Sequence, residues 1–187
     1  DLRLLRQVRN AAQEWHEKKH PDFLLWPQER LALVYAMQDR LHPELNEVER
    51  DFIEPEQERL YRELEVIETT HQRRYDIGER LARIGDTREG IGVKDGKPDM
   101  IWLPVNGSNG KHKFEFGEFE VKPFFIAKYL TTLVQVQAFL DSDWDNPRWW
   151  AGFPERYQPQ NFGNVTNGNA NAPRDTISWY QSVAFGR

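Results

Sequence analysis

His16, Glu17 and His20 reproduce the H-E-x-x-H spacing. On a helix that spacing lets two imidazoles hold one Zn²⁺ while the glutamate polarises a water. Pro21 works against this, because the residue before a proline is pushed away from helical geometry and His20 should leave the shared face. Lys18 and Lys19 add two positive charges beside the proposed cation, and no third ligand stands out. We read the segment as a polar helix end, where His and Lys suit the negative end of the helix dipole. No metal ligand and no catalytic residue is assigned.

Three other patterns read as backbone rather than chemistry. Gly90 to Gly96 (GIGVKDG) has the glycine content of a phosphate loop. It lacks the closing Gly-Lys-Ser/Thr and should not open a helix, so we expect a plain loop. The run from Asn161 to Asn171 could offer carbonyl oxygens to Ca²⁺, but it holds no Asp or Glu. A site without carboxylates is too weakly charged to hold the ion tightly. Two glycosylation-type triplets, Asn106-Gly107-Ser108 and Asn164-Val165-Thr166, are read as chance.

The aromatic residues are more informative. Trp144, Trp149, Trp150, Phe153, Tyr157 and Phe162 fall within one stretch, Asp141 to Arg174, that carries the Asn, Gly and Pro of a loop. Loops this long in compact domains are functional or poorly ordered. Rings gathered there either pack the loop onto its domain or line a recognition surface, where Trp and Tyr are favoured anchors. Adjacent Trp149 and Trp150 require at least one to point inward. Trp144, Trp149, Trp150 and Tyr157 are the candidate ligand-binding residues.

Composition narrows the class. The 187-residue chain is 29% charged and 39% hydrophobic, with a net charge of −5. That balance is globular and argues against nucleic acid as a partner, since such binders need clustered positive charge. No stretch of eighteen apolar residues is present, so no membrane span is expected. Cysteine is absent, which removes disulfides and thiol chemistry from the span. The first residues lack an initiator Met and the plan of a signal peptide. We expect a cytoplasmic fragment cut at both ends.

These residues need elements to position them. Leu4, Leu5, Val8, Ala11, Ala12 and Trp15 mark one helix face, ending near Lys19. Leu31, Leu33, Val34, Met37 and Leu41 mark a second helix, ended near Pro43. Asn46 with Glu49 starts another. Pro55 opens a long helix carrying Leu60, Leu64, Ile67, Leu81 and Ile84, thinly apolar from Glu68 to Tyr75 and ended by Gly85. From Asp86 the pattern changes. Ile101–Val105, the stretch holding Phe114, Phe116, Phe119 and Val121, and Phe124–Tyr129 read as strands, with a turn at Asn106–Gly110. Thr131 or Thr132 caps a short helix through Leu140, and Trp179 begins another after Thr176–Ser178. The expected fold class is therefore α+β: a helical linker or stalk over residues 1–85, then a separate α+β unit over 86–187.

Four segments in order carry a family resemblance. "FEVKPFFIAKYLTT" (Phe119–Thr132) resembles the opening strand and turn of the sulfatase-modifying-factor, or formylglycine-generating-enzyme-like, domain. "VQVQAFL" (Val134–Leu140) is similar to its short helix, "DNPRWWAGF" (Asp145–Phe153) to a bacterial segment, and "NAPRDTISWYQSVAFGR" (Asn171–Arg187) to its Ser-Trp helix. The resemblance implies that 86–187 is the N-terminal half of a C-type-lectin-like domain. Tyr75–Val105 and His20–Val34 resemble the lead-in and helical linker of bacterial multidomain members joined to NACHT-type NTPase, TIR or caspase-like modules. Some relatives are variable proteins of diversity-generating retroelements, which display ligand-binding residues on this fold.

Catalytic members oxidise a substrate cysteine with a copper ion held by two cysteines. Those cysteines, the family's calcium ligands and the variable region are expected beyond Arg187, so calcium belongs to that half. Gly186 stands where many members have Cys, Leu130 replaces a Pro or Glu, and Thr132-Leu133 departs from Thr-Asn. The resemblance implies a non-catalytic module that binds a protein or other ligand through its loops. The alternatives are a formylglycine-generating oxidase and a sensor or coupling segment of a NACHT- or TIR-type defence protein with an upstream NTPase or effector domain.

Overall fold

A computed structural model describes residues 1–107, 110–159 and 161–187. The chain divides into two compact units, Asp1–Gly85 and Asp86–Arg187, and its fold class is α+β.

The first unit is helical. α1 (Leu2–Glu17) and α2 (Gln28–Leu41) supply the apolar positions that their spacing predicts. Leu5, Val8 and Ala12 pack with Leu31, Val34 and Met37, and Trp26, Phe52 and Ile53 complete the cluster. α3 (Glu47–Phe52) starts on a reciprocal cap: Glu49 N–H donates to Asn46 Oδ1 at 2.8 Å, and Asn46 N–H donates to Glu49 Oε2 at 3.1 Å. This satisfies two of the donors that a helix start leaves open.

The long third helix expected from Pro55 is two helices. α4 (Glu56–Glu65) ends at Val66 and α5 (His71–Ile84) begins at Thr70. The thin apolar stripe is the turn itself, and Ile67 is exposed. Val66, Ile67, Thr69 and Thr70 are β-branched and suit a helix poorly. Arg74 staples the turn by donating to the carbonyls of Leu64, Val66 and Thr69. Folding back lets Leu60 bury against Ile77 and Leu81, with Gln57 Nε2 bonded to Ile84 O at one end and Glu63 bonded to Arg73 at the other.

Among the described residues the second unit holds three two-stranded antiparallel sheets. β1 (Val93–Lys94) and β2 (Lys97–Pro98) make a hairpin where the glycine-rich pattern predicts a plain loop. Asp95 and Gly96 both have positive φ, 51° and 73°. An Asp-Gly pair adopts this geometry readily, and it matches the twist of the flanking strands. β3 (Trp102–Val105) pairs with β6 (Phe124–Ala127), and the hairpin of β4 (Lys111–Phe114) and β5 (Gly117–Glu120) lies between them in sequence. Part of the turn expected at 106–110, and Ser108 of the first glycosylation-type triplet, lie outside the described residues.

α6 (Leu133–Leu140) begins on a capping box of Thr132 and Gln135. α7 (Pro147–Trp150) and α8 (Trp179–Phe185) complete the unit. Among the described residues no helix is long and apolar enough to cross a membrane.

Candidate functional site

The loop after α6 is held to the unit at both ends. Leu133 N–H donates to Ala172 O, Val134 N–H to Ala170 O and Arg174 N–H to Thr131 O, at 2.9 to 3.0 Å. The side chain of Arg174 is buried and donates to the carbonyls of Gly163 and Asp175. Gln181, in the capping box of α8, donates from Nε2 to Asn161 O at 2.8 Å. In the Asn-rich run the Asn161 carbonyl is thus bonded to α8, and the Asn167 side chain closes a local turn, its Oδ1 accepting from Asn169 N–H. Hydrogen bonding from the Thr166 side chain, and then from its backbone N–H, holds the Asp175 carboxyl below the usual carboxylate range.

Within this frame the four candidate residues separate. Asn146 caps α7 and Pro147 fills its first position, where the missing N–H costs nothing. The single turn points Trp150 inward, where it is fully buried. Its Nε1 donates to Trp144 O at 2.7 Å, and its ring meets Trp144 and Phe153 edge to face at 6.4 Å. Trp150 has no surface to offer a ligand and anchors the loop.

Trp144 is partly buried against Trp150 and Phe162. Trp149 is also partly buried, against Phe139, with Nε1 donating to Asp143 O at 3.0 Å and the Arg148 guanidinium 3.9 Å from its ring centre. Tyr157 stacks on Tyr180 with ring centres 4.1 Å apart and planes within 16°.

The spacing predicts α8, but its rings are outside the candidate set. Trp179 and Tyr180 extend the same set of rings through Phe153, and Trp179 is 67% exposed. Arg187 Nη1 donates to the carbonyls of Trp149 and Ala151, and its guanidinium lies 4.6 Å from the Phe153 ring centre. Trp179 and Tyr180 lie just past the loop in sequence, which is the signal that could have included them. Trp149, Tyr157 and Trp179 form partly open aromatic surface on a hydrogen-bonded frame. Such surface can stack against a ligand at low entropic cost.

The other patterns resolve as follows. His20 lies past the end of α1, yet its ring still meets His16: Nδ1 of His16 and Nε2 of His20 are 3.0 Å apart. Left-handed backbone at Lys19 and His20 (φ 63° and 62°) turns the chain back, and the His20 ring rests on Trp15. Among the described residues no group of three or more His, Cys, Asp or Glu could hold a metal. Thr132 and Gln135 tie α6 to the first hairpin. Thr132 Oγ1 donates to Ile91 O at 2.6 Å and Gln135 Nε2 to Gly90 O at 3.1 Å. Asp86 is pushed up by burial, but hydrogen bonds from Arg88 and Asn171 outweigh this and hold its carboxyl below the usual range.

No family model, no curated protein and no solved structure matches the chain.

Proposed function

We propose that residues 86–187 are a non-catalytic ligand-recognition module of the C-type-lectin-like, formylglycine-generating-enzyme-like type. In this reading the loop from Asp141 to Arg174, with α8, is its binding face. The observation that carries the reading is the division of labour among the rings. Trp150 is spent wholly on anchoring. Trp149 and Tyr157 stay at the surface in fixed orientations, each with an arginine beside it. A loop that only closed a core would bury these rings rather than hold them half open. The four sequence resemblances support the family, and function on such a frame resides in its loops. The chain contains no cysteine, so this span offers no thiol ligand for the copper of a formylglycine-generating oxidase.

The test is selection of a random-peptide display library and a glycan array on the 187-residue chain, repeated with Trp149→Ala and Tyr157→Ala. Ligands whose binding falls about tenfold or more in both variants are expected. Ligands that bind both variants as well as wild type would remove the aromatic loop from the site. Copper-dependent oxygen consumption with a cysteine-containing peptide, by the intact domain that the resemblance implies, would overturn the non-catalytic reading.

A further inference from the structure

α1 ends on a chain reversal that brings two histidines together. His20 lies beyond the last helical residue, Glu17. Its ring returns to the helix because Lys19 and His20 both take left-handed backbone. Residues with side chains adopt that region at a cost, and two in succession hold it only where their surroundings fix them. The fixing contacts here are both with Trp15. His20 N–H donates to Trp15 O at 2.9 Å, and the two rings rest together with centres 4.3 Å apart. His16 Nδ1 and His20 Nε2 consequently stand 3.0 Å apart, and both residues are exposed.

That separation is the one a chelating pair needs. Imidazole nitrogens bind an ion such as Zn²⁺ at about 2.0–2.1 Å. Two of them on one ion lie about 2.9–3.3 Å apart, as the angle at the metal runs from square to tetrahedral. The charge beside the pair is smaller than the sequence implies. Lys18 Nζ is spent on Glu14 Oε1 at 2.6 Å, and the carbonyl end of α1 is the negative end of its dipole, which favours a cation. Glu17, the general base of the H-E-x-x-H spacing, instead accepts from Gln13 Nε2 at 2.8 Å. The arrangement suits capture of an ion rather than hydrolysis by it.

We propose that His16 and His20 form a two-histidine site for a late first-row divalent ion, Cu²⁺ ahead of Ni²⁺ and Zn²⁺. His16 binds through Nδ1 and His20 through Nε2. Among the described residues no third protein ligand joins them, so water completes the coordination. In the metal-free pair one imidazole N–H donates across the 3.0 Å gap. On binding, that proton moves through solvent to the other nitrogen of its own ring. Each neutral imidazole thus keeps one proton and offers one lone pair. Both rings, being exposed, turn about their Cβ–Cγ bonds to aim those lone pairs at one point.

The probes are Cu²⁺, Ni²⁺, Zn²⁺ and Mg²⁺, titrated into the untagged 187-residue chain at neutral pH by calorimetry and by quenching of tryptophan fluorescence, with Trp15 the reporter beside the site. With two ligands in place of the four of a closed site, Cu²⁺ should bind with a Kd on the order of 10 µM. Ni²⁺ and Zn²⁺ should bind more weakly and Mg²⁺ not at all. His16→Asn and His20→Asn, both at exposed positions and with helicity checked by circular dichroism, should each weaken Cu²⁺ binding at least about tenfold. His42→Asn should leave it unchanged. Electron paramagnetic resonance of the one-to-one Cu²⁺ complex should show coupling to two imidazole nitrogens. Cu²⁺ binding of wild-type strength in either variant overturns the proposal. So does coupling to fewer than two imidazole nitrogens, Ni²⁺ or Zn²⁺ binding tighter than Cu²⁺, or no saturable Cu²⁺ binding below about 1 mM. The peptide and glycan selections on the aromatic loop are independent of every one of these results.

Discussion

Replacing Gln135 by leucine should unfold the second unit far more easily than its modest change in size implies. Gln135 is fully buried. Its Oε1 accepts from Thr132 N–H at 2.9 Å, and its Nε2 donates to the carbonyls of Gly90 and Asp99. Leucine keeps the volume but leaves three buried backbone groups without partners. Each such group costs about 1–3 kcal/mol. The added apolar burial returns about 1–2 kcal/mol. The net loss should be about 1–8 kcal/mol. Urea unfolding followed by tryptophan fluorescence measures it well, because five of the seven tryptophans (Trp102, Trp144, Trp149, Trp150 and Trp179) lie in this unit. The midpoint should fall with the slope unchanged, and exchange at the Thr132 amide should accelerate. Gln135→Glu should be no milder, since it faces two carbonyls with a carboxylate oxygen. A loss below about 1 kcal/mol for Gln135→Leu would show that these bonds do not hold the first hairpin to α6.

Trp150→Ala should cost about 3–5 kcal/mol through the cavity it opens, and Trp149→Ala clearly less; equal losses by denaturant titration would contradict the anchor role. Arg80 holds the Glu29 carboxyl at about 2 and that of Glu56 below its usual range through their hydrogen bonds. Both folded values lie below the unfolded 4.5, so this stability is present above that pH and is lost as pH falls through the folded values. Arg80→Gln should therefore flatten the acid limb of stability against pH between 4.5 and about 2; an unchanged acid limb would refute the pairing. Burial pushes Tyr35 from 10.0 up to about 12, and its hydroxyl donates to Ile53 O. A raised value means the stability is present below 10.0 and lost as pH rises through the folded value. Alkaline absorbance should show an ionisation near 12 that Tyr35→Phe removes, and its absence would count against the buried bond.

What the sequence disclosed follows the range of the forces involved. Helices α1, α2 and α6 were legible because periodicity and caps act over three or four residues. The cap pairs Asn46–Glu49 and Thr132–Gln135 lie within that reach. The break between α4 and α5 shows in sequence only as a thin apolar stripe from Glu68 to Tyr75, because the fold-back is fixed by Leu60 meeting Ile77 and Leu81 in space. The hairpin at 93–98 has its signal in sequence, since Asp95-Gly96 is a strong local turn pair, but strands of two residues each are too short to show a period. In the aromatic loop, sequence adjacency required one of Trp149 and Trp150 to turn inward. Only the cap at Asn146 and the bond from Trp150 Nε1 to Trp144 O decide which.

The arginines mark where reading by spacing ends. Arg80 is paired with Glu56 across 24 positions and with Glu29 across 51, separations that no local pattern encodes. In sequence, Arg59, Arg62, Arg73 and Arg80 are equivalent members of charged helix faces, each with glutamates nearby. Burial changes their worth. An exposed guanidinium without a carboxylate costs nothing, since water solvates it. Arg59 is pulled below its usual range by burial, offset by the charges of Glu56 and Glu54, and a buried donor nitrogen left unbonded forfeits its solvation. The fold tolerates that loss at Arg59 while spending Glu54, Glu56 and Glu63 on Arg62, Arg80 and Arg73. Packing within the helical unit, rather than any motif, sets that allocation.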